Sequence, residues 1–335
     1  MLIFDKKQKK KKKTQYPRWF VMARNSGQWV VAHLFFGFMA VVKLFPADAA
    51  INFTEKAGRW FGMRYQRTRR ARSNLKLAFP EKSDQEIEQI LEDSWGNLSR
   101  TAAEYAYLDQ IFDFDDQNPG HGRFEISGIP HFAELKALKG PAICFTAHTG
   151  NWELLPVASA AYGVNVTALF RPPENQYIAK RVLAARTTSM GHLVPSKAGA
   201  SWALADVMDA GGKVGLLVDQ YHYAGLPITF FGHPTRGNHL LAKLARNYDC
   251  PVYPARCIRL PGGRFRIEMQ PRLDIPRDED GKVDVQALTQ KVNDVVEGWV
   301  REYPGQWLWL HKRWRNDGSP RRRKPKSRKA KIAAA

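Results

Sequence analysis

The chain has 335 residues, enough for one large core or two modest ones. Its 44% apolar and 12% aromatic content excludes an intrinsically disordered protein. The net charge of +20 is concentrated at the two ends, and three cysteines at 144, 250 and 257, with no CxxC spacing, argue against a disulfide framework or a zinc site and fit a reducing compartment.

Lys6, Lys7 and Lys9 to Lys13 supply seven cations at the start, and residues 321 to 331 supply eight at the end. Like charges repel and nothing apolar there can fold, so 1–17 and 317–335 read as disordered basic tails. They suit a polyanion such as an anionic leaflet. No zinc-finger spacing or RRM-type aromatic signature accompanies them, so nucleic acid is not expected as a partner.

The first predicted element is the apolar run Trp29 to Phe45. It is at the short end for crossing hydrocarbon, which takes about 20 residues. His33 and Lys43 lie near its ends and can snorkel. No small-residue cleavage site follows, which argues against a removed signal peptide. A spanning helix and a helix dipping into one leaflet both fit. A buried core helix is disfavoured by Trp19, Phe20 and Trp29 beside it. Lysines precede the run, and Arg59, Arg64, Arg67, Arg69, Arg70, Arg72 and Lys76 follow it with no acid between Glu55 and Glu81. Both flanks therefore ask to be cytoplasmic, as a dipping helix permits. The arginines would then lie against lipid phosphates, the alternative being a solvated helix face. Residues 18–60 read as a membrane-anchoring region and 61–316 as one catalytic domain.

Ser83 and Glu86 form a capping box that opens a helix to about Tyr107. Ile87, Ile90, Leu91, Trp95 and Leu98 make its apolar stripe, which assigns it to the core. From Phe124 to Trp309, strand-like and helix-like segments alternate. Strands are predicted over 142–147, 164–170, 214–218, 251–258 and 264–270. Helices are predicted over 152–162, from the 171–175 turn to about Met190, over 199–210, around Leu241 to Tyr248, and over 284–303. Together these predict an α/β protein: a single central mixed sheet flanked by helices, behind an N-terminal hydrophobic membrane helix.

The chemistry concentrates where strands end. Thr146-Ala147-His148-Thr149-Gly150-Asn151-Trp152-Glu153 follows a buried strand and places a histidine five positions before a glutamate. Open α/β sheets put their sites at such ends, and a His–carboxylate pair there can take a proton from a hydroxyl. The pair alone is unspecific: Glu153 near a helix start is also expected for capping. Arg171 follows the strand 164–170, Asp219 ends the strand 214–218, and Arg186 lies in the helix between. Each has an ordinary structural explanation. Together they assemble an acid–base pair, cations for an oxyanion or phosphate, and an orienting carboxylate.

With those residues in view, the chain resembles the lipid A secondary acyltransferases, within the lysophospholipid acyltransferase-like group that carries an HxxxxD/E motif. His148 to Glu153 matches that motif. Arg171-Pro172 through Asn175 resembles the family's RPxxN turn, and Asp219-Gln220 with Pro227 to Gly232 its DQ…PxFFG block. Pro304 to Trp314 resembles the closing PxQWxWxHxRW segment. The four blocks occur in order over about residues 20 to 316.

The resemblance implies an α/β/α acyltransferase at the cytoplasmic face of a bacterial inner membrane. The donor it implies is an acyl thioester on acyl carrier protein. The implied acceptor is the 3-hydroxyl of a chain already attached to a Kdo-bearing lipid A precursor. His148 would be the general base, with Glu153 holding its tautomer. Arg186 or backbone donors would polarise the oxyanion. Arg171 and Asp219 match positions tied to activity. No metal, cofactor or covalent intermediate is implied, because the thioester is already activated. Acylation of another membrane glycolipid or of a lysophospholipid is the nearest alternative, and a non-catalytic basic membrane-binding protein the more distant one. The Trp307 to Arg315 block reads either as core or as an interfacial aromatic belt.

Overall fold

A computed structural model describes residues 17–113, 122–170, 172–181, 192–196 and 199–315. Among these residues four helices come first: α1 (Arg18–Val42), α2 (Ala47–Arg64), α3 (Thr68–Ala78) and α4 (Asp84–Glu104). Nine strands follow among the described residues: β1 (Phe124–Ser127), β2 (Ala142–Thr146), β3 (Val166–Phe170), β4 (Leu193–Pro195), β5 (Lys213–Leu217), β6 (Leu226–Phe230), β7 (His233–Gly237), β8 (Val252–Arg259) and β9 (Phe265–Met269). Seven of them form one sheet in the order β1-β9-β8-β2-β5-β3-β4. Only the β8–β9 pair is antiparallel, so the sheet is mixed, as expected.

Period-two alternation divides the core between the two faces of the sheet. Ile143 and Phe145 of β2 point to one side, with Val214 and Leu216 of β5. The helices Leu240–Tyr248 and Val285–Glu302 cover that side with α3 and α4. Ala142 and Cys144 point to the other, with Tyr253, Ala255 and Ile267, under the helices Ile129–Ala137 and Leu154–Ala161. The result is the three-layer α/β/α arrangement. The five predicted strands all form, to within about two residues at each end. The small hairpin β6–β7 is an addition to the sequence reading. Its two-residue turn, Phe231-Gly232, has positive φ at both positions, as a type I′ turn requires. Buried Phe231 is held there by its N–H donating to Glu297 and by Arg301 lying 4.3 Å over its ring.

The N-terminal helix is longer than the apolar run suggests. It starts at Arg18, after Pro17, and Met22–Val42 is long and apolar enough to cross a membrane by length and composition. Its last part differs too, since Lys43 to Phe45 form a turn ahead of Pro46 rather than helix. Proline disfavours the helical conformation in the residue before it, so the helix closes early. Tyr107 ties the end of α1 down by donating to the Val42 carbonyl at 2.7 Å. Asn175 donates to the Gln28 carbonyl at 2.7 Å, and its own side-chain oxygen caps the N–H groups of Tyr177 and Ile178. The turn read as RPxxN thus fastens the membrane-type helix to the α/β body.

The capping box forms as predicted, with Ser83 and Glu86 each satisfying the other's backbone N–H. The assignment of this helix to core alone is corrected. Ser94, Asn97, Thr101 and Glu104 form a buried polar face on α4, and it points at the candidate site.

Candidate active site

β2 and β5 are parallel neighbours, and the register pairs the last residue of one, Thr146, with the last of the other, Leu217. Two residues beyond each strand stand His148 and Asp219. The register therefore brings them to one rim of the sheet, although 71 residues separate them. His148 Nδ1 lies 2.8 Å from Asp219 Oδ1. Asp219 Oδ2 accepts the backbone N–H of His148 at 3.0 Å and the indole N–H of Trp307 at 2.8 Å.

Burial alone would favour a neutral Asp219, but the His148 charge, its two hydrogen bonds and the Trp307 donor hold the carboxyl well below the usual range. Burial also opposes a charged imidazole at His148; the Asp219 carboxylate, its hydrogen bond and the charge of Glu153 outweigh that and raise the His148 pKa. An ionised carboxylate only accepts, so Nδ1 carries the proton and Nε2 keeps its lone pair. Nε2 lies 3.3 Å from the side-chain amide of exposed Gln220. A hydroxyl that displaces this amide meets a basic nitrogen. A second imidazole, His311, does not compete for that role. Its Nε2 accepts the Tyr221 N–H at 3.2 Å, and burial with nearby positive groups pushes it down to about 4.

Of the two acids near His148, the contact expected of Glu153 is made by Asp219. Asp219, not Glu153, is the carboxylate on Nδ1. Gly150 turns the chain with φ +55°, and Glu153 comes to the start of the helix Leu154–Ala161, acting on the imidazole through its charge. Arg171 and Arg186 lie outside the described residues.

The turn carrying His148 is braced from three sides. The closing segment pairs with it: Gly150 N donates to Gln306 O, and Leu308 N donates to His148 O. Asn97 and Thr101 of α4 both donate to the Gly150 carbonyl. Below them Glu104, 1% exposed, is clamped by the two terminal nitrogens of the Arg259 guanidinium and by Asn151 at 2.8 Å. Asn151 in turn accepts the Glu153 N–H. A buried carboxylate is tolerated only with such partners. Sequence reading missed Glu104, Asn97, Asn151 and Arg259; for the two on α4, Asn97 and Glu104, the usable signal was polar residues continuing the spacing of its apolar stripe. A Cβ on Gly150 would stand 2.0 Å from the Cys257 carbonyl. Gly150→Ala is accordingly expected to lose more than about 1 kcal/mol of stability from the positive φ alone, with the clash adding to it. A thermal melt checks this; an unchanged melting temperature would contradict it.

The Trp307–Arg315 block is core, not an interfacial belt, at its centre. Trp307, Trp309 and Arg313 are fully buried. Arg313 donates to Asn293 at 2.6 Å and lies over the Phe230 ring at 4.5 Å. Burial lowers it to about 10, leaving it charged at neutral pH. Asn74 of α3 and Ser94 of α4 hold the backbone of this block.

Beside the imidazole an apolar cleft of about 950 Å³, open mouth included, runs along the sheet. Trp152 and Glu153 stand on its wall, with Thr146 and Leu217 from the strand ends, and Gly215 and Ala168 farther in. The Trp152 ring is 5.1 Å from that of His148, so the cleft and the base are adjacent. Cys144 lines it too, but burial raises its thiol to about 12, which rules out a thiolate nucleophile at neutral pH.

A base at a sheet rim, steered by a carboxylate and opening beside a greasy cleft, is suited to activating a hydroxyl for attack on an acyl group. The bacterial lipid A biosynthesis acyltransferase family model matches residues 20–316. The chain belongs to this family. It is similar to the lipid A biosynthesis acyltransferase of Haemophilus influenzae, 21% identical over 84% of this chain and 87% of that protein. It is also similar to the lipid A biosynthesis myristoyltransferase of Escherichia coli K12, 24% identical over 82% and 83%. The phosphatidylinositol mannoside acyltransferase of Mycolicibacterium smegmatis is 28% identical over 61% of this chain and 67% of its own. The protein is an acyltransferase, and the resemblance read from its four motif blocks is a family relationship. In this acyltransferase the DQ block contributes Asp219 and Gln220 to the imidazole, and the closing block contributes Trp307 to Asp219.

Proposed function

We propose that this acyltransferase moves a fatty acyl group from an acyl carrier protein thioester to a hydroxyl of a primary acyl chain on a Kdo-bearing lipid A precursor. The observation that carries the chemistry is the Asp219–His148 hydrogen bond beside the apolar cleft. His148 Nε2 removes the hydroxyl proton as the oxygen attacks the thioester carbonyl. A C–O bond forms, the tetrahedral intermediate collapses, and the C–S bond breaks. The same proton then passes from the imidazolium to the departing thiolate. Asp219 keeps the imidazole in its base tautomer and stabilises its charged form; Glu153 adds negative charge at the mouth of the cleft. Arg171, by its place in the RPxxN motif and its charge, and Arg186, by its charge, stay candidates for the oxyanion or for acceptor phosphate. The acyl chain would lie in the cleft. The α1 helix and the two basic tails would hold the catalytic domain, residues 61–316, at the cytoplasmic leaflet of the inner membrane.

The test is direct. Purified protein, carrier-protein thioesters of several lengths and tetra-acylated, Kdo-bearing precursor are expected to yield penta-acylated product by mass spectrometry. The mycobacterial relatives favour a second reading, transfer to another membrane glycolipid. Turnover only of a mannosylated phosphoinositide would establish it over the first. Cleft depth is open to a separate test. Gly215 sits on β5 with Val166 3.0 Å from where its Cβ would be. Gly215→Val is expected to shift donor preference toward shorter acyl chains in a competition between thioesters. An unchanged preference would remove the acyl chain from this part of the cleft.

A further inference from the structure

The turn between α2 and α3 forms a polar pocket at some remove from the chemistry just described. Arg64, Tyr65, Arg69 and Arg72 line it, with Gln66 and Thr68. The turn is rigid. The buried Thr68 hydroxyl donates to the Gly62 carbonyl at 2.6 Å and accepts the Trp95 indole N–H at 3.0 Å. A Cβ at Gly62 would meet the Trp95 ring at 2.2 Å, so α2 and α4 are in close contact there. Arg72 is paired with Glu88. Among the described residues, Arg64 and Arg69 have no ion pair to a carboxylate, nor do neighbouring Arg67 and Arg70. The α3 helix begins here without a side-chain cap; the N–H groups of Thr68 and Arg70 donate to the Tyr65 and Arg67 carbonyls, and the helix start adds its dipole to the same positive field.

The surroundings of the pocket are apolar on one side. Phe53, Trp60 and Arg64 recur at i, i+7 and i+11 and so share one face of α2. Phe53 is 74% and Trp60 53% exposed, and neighbouring Phe61 is 65%. The Arg64 guanidinium lies 4.1 Å over the Trp60 ring and donates to the Trp60 carbonyl. Exposed aromatics running into fixed arginines are the arrangement of a membrane–water boundary, where rings sit at headgroup depth and guanidiniums meet phosphate. The middle of α3 holds the closing block that braces the site, since Asn74 donates to the carbonyls of Trp309 and His311.

We propose that the Arg64–Arg69 pocket binds the phosphate of an anionic lipid headgroup, seating the protein on the bilayer with the rim of the sheet held near its surface. This rests on the membrane placement proposed above and not on the acyl-transfer step, so the two fail separately. The probe is the full-length protein binding to phosphatidylcholine vesicles with and without phosphatidylglycerol. Arg64→Ala/Arg69→Ala is expected to weaken binding to the anionic vesicles about 10- to 30-fold, from two surface cations. Arg264→Ala/Arg272→Ala, an equal loss of charge elsewhere, is expected to change it less than about twofold. Arg69→Glu, a single exposed change, carries the expectation of the first pair should that pair fold poorly. Equal losses in both pairs would reduce the pocket to general charge and overturn the proposal. So would binding of inorganic phosphate in solution as tightly as the protein binds anionic vesicles, which would mark a free-anion site. Retained vesicle binding with lost capture of acidic acyl carrier protein would assign the pocket to the protein donor instead, and overturn it too.

Discussion

His148→Ala is expected to lower acyl transfer by about 10²- to 10⁴-fold, the range that a general base contributes, while the protein stays folded. The imidazole is the group whose basic nitrogen faces the opening. The backbone N–H of His148, which bonds Asp219, survives the substitution. Product formation by mass spectrometry and a thermal melt measure the two halves of this result. Activity within a fewfold of wild type would remove His148 from the chemistry. Loss of the folded state would leave the substitution uninformative about the base, and His148→Gln, closer in size and polarity, then takes its place with the same expected loss.

Asp219→Asn is expected to cost a comparable or larger factor, about 10⁴-fold where a triad carboxylate is replaced by its amide. The introduced amide can donate to Nδ1, which forces the proton onto Nε2 and removes the base. The pH profile supplies the sign. In the wild type, Asp219 holds the His148 pKa above its ordinary value against the opposing effect of burial. Activity should therefore rise with pH through a midpoint above about 6.5, as the imidazole becomes neutral. Without the carboxylate, burial is opposed only by Glu153, so the midpoint should move to lower pH while the plateau falls. Glu153→Gln is expected to move the midpoint the same way by less, since Glu153 acts through its charge alone on the imidazole. If Glu153→Gln lost more activity than Asp219→Asn, Glu153 would have a part in catalysis beyond that charge. A midpoint unmoved by Asp219→Asn would break the link between this hydrogen bond and the base.

The elements that were read correctly from the chain are those whose causes are local. Ser83 and Glu86 are three residues apart and satisfy each other's backbone, so the start of α4 was written in four residues. The strands of the sheet are short apolar runs bounded by turn residues, and their ends put His148 and Asp219 where chemistry is expected. The expectation that Glu153 would meet the imidazole directly has the same origin. Five positions look like one helical turn, but Gly150 in a left-handed conformation carries the chain round before the helix starts at Leu154. The polar face of α4 gave no local sign of its role, because its partners, Gly150, Asn151, Arg259 and Gln306, are 47 or more positions away along the chain.

The order of residues by itself determined the α/β class, an apolar helix near the start, the motif blocks and the histidine at a strand end. Periodicity, capping and turn chemistry act over a few residues, and a linear pattern records them. The tertiary structure alone decided which acid meets the imidazole, which tryptophans are buried, and that Glu104 and Arg259 brace the turn. Those outcomes depend on which strands are neighbours and in what register, and pairing between distant segments is chosen by the packing of the whole core.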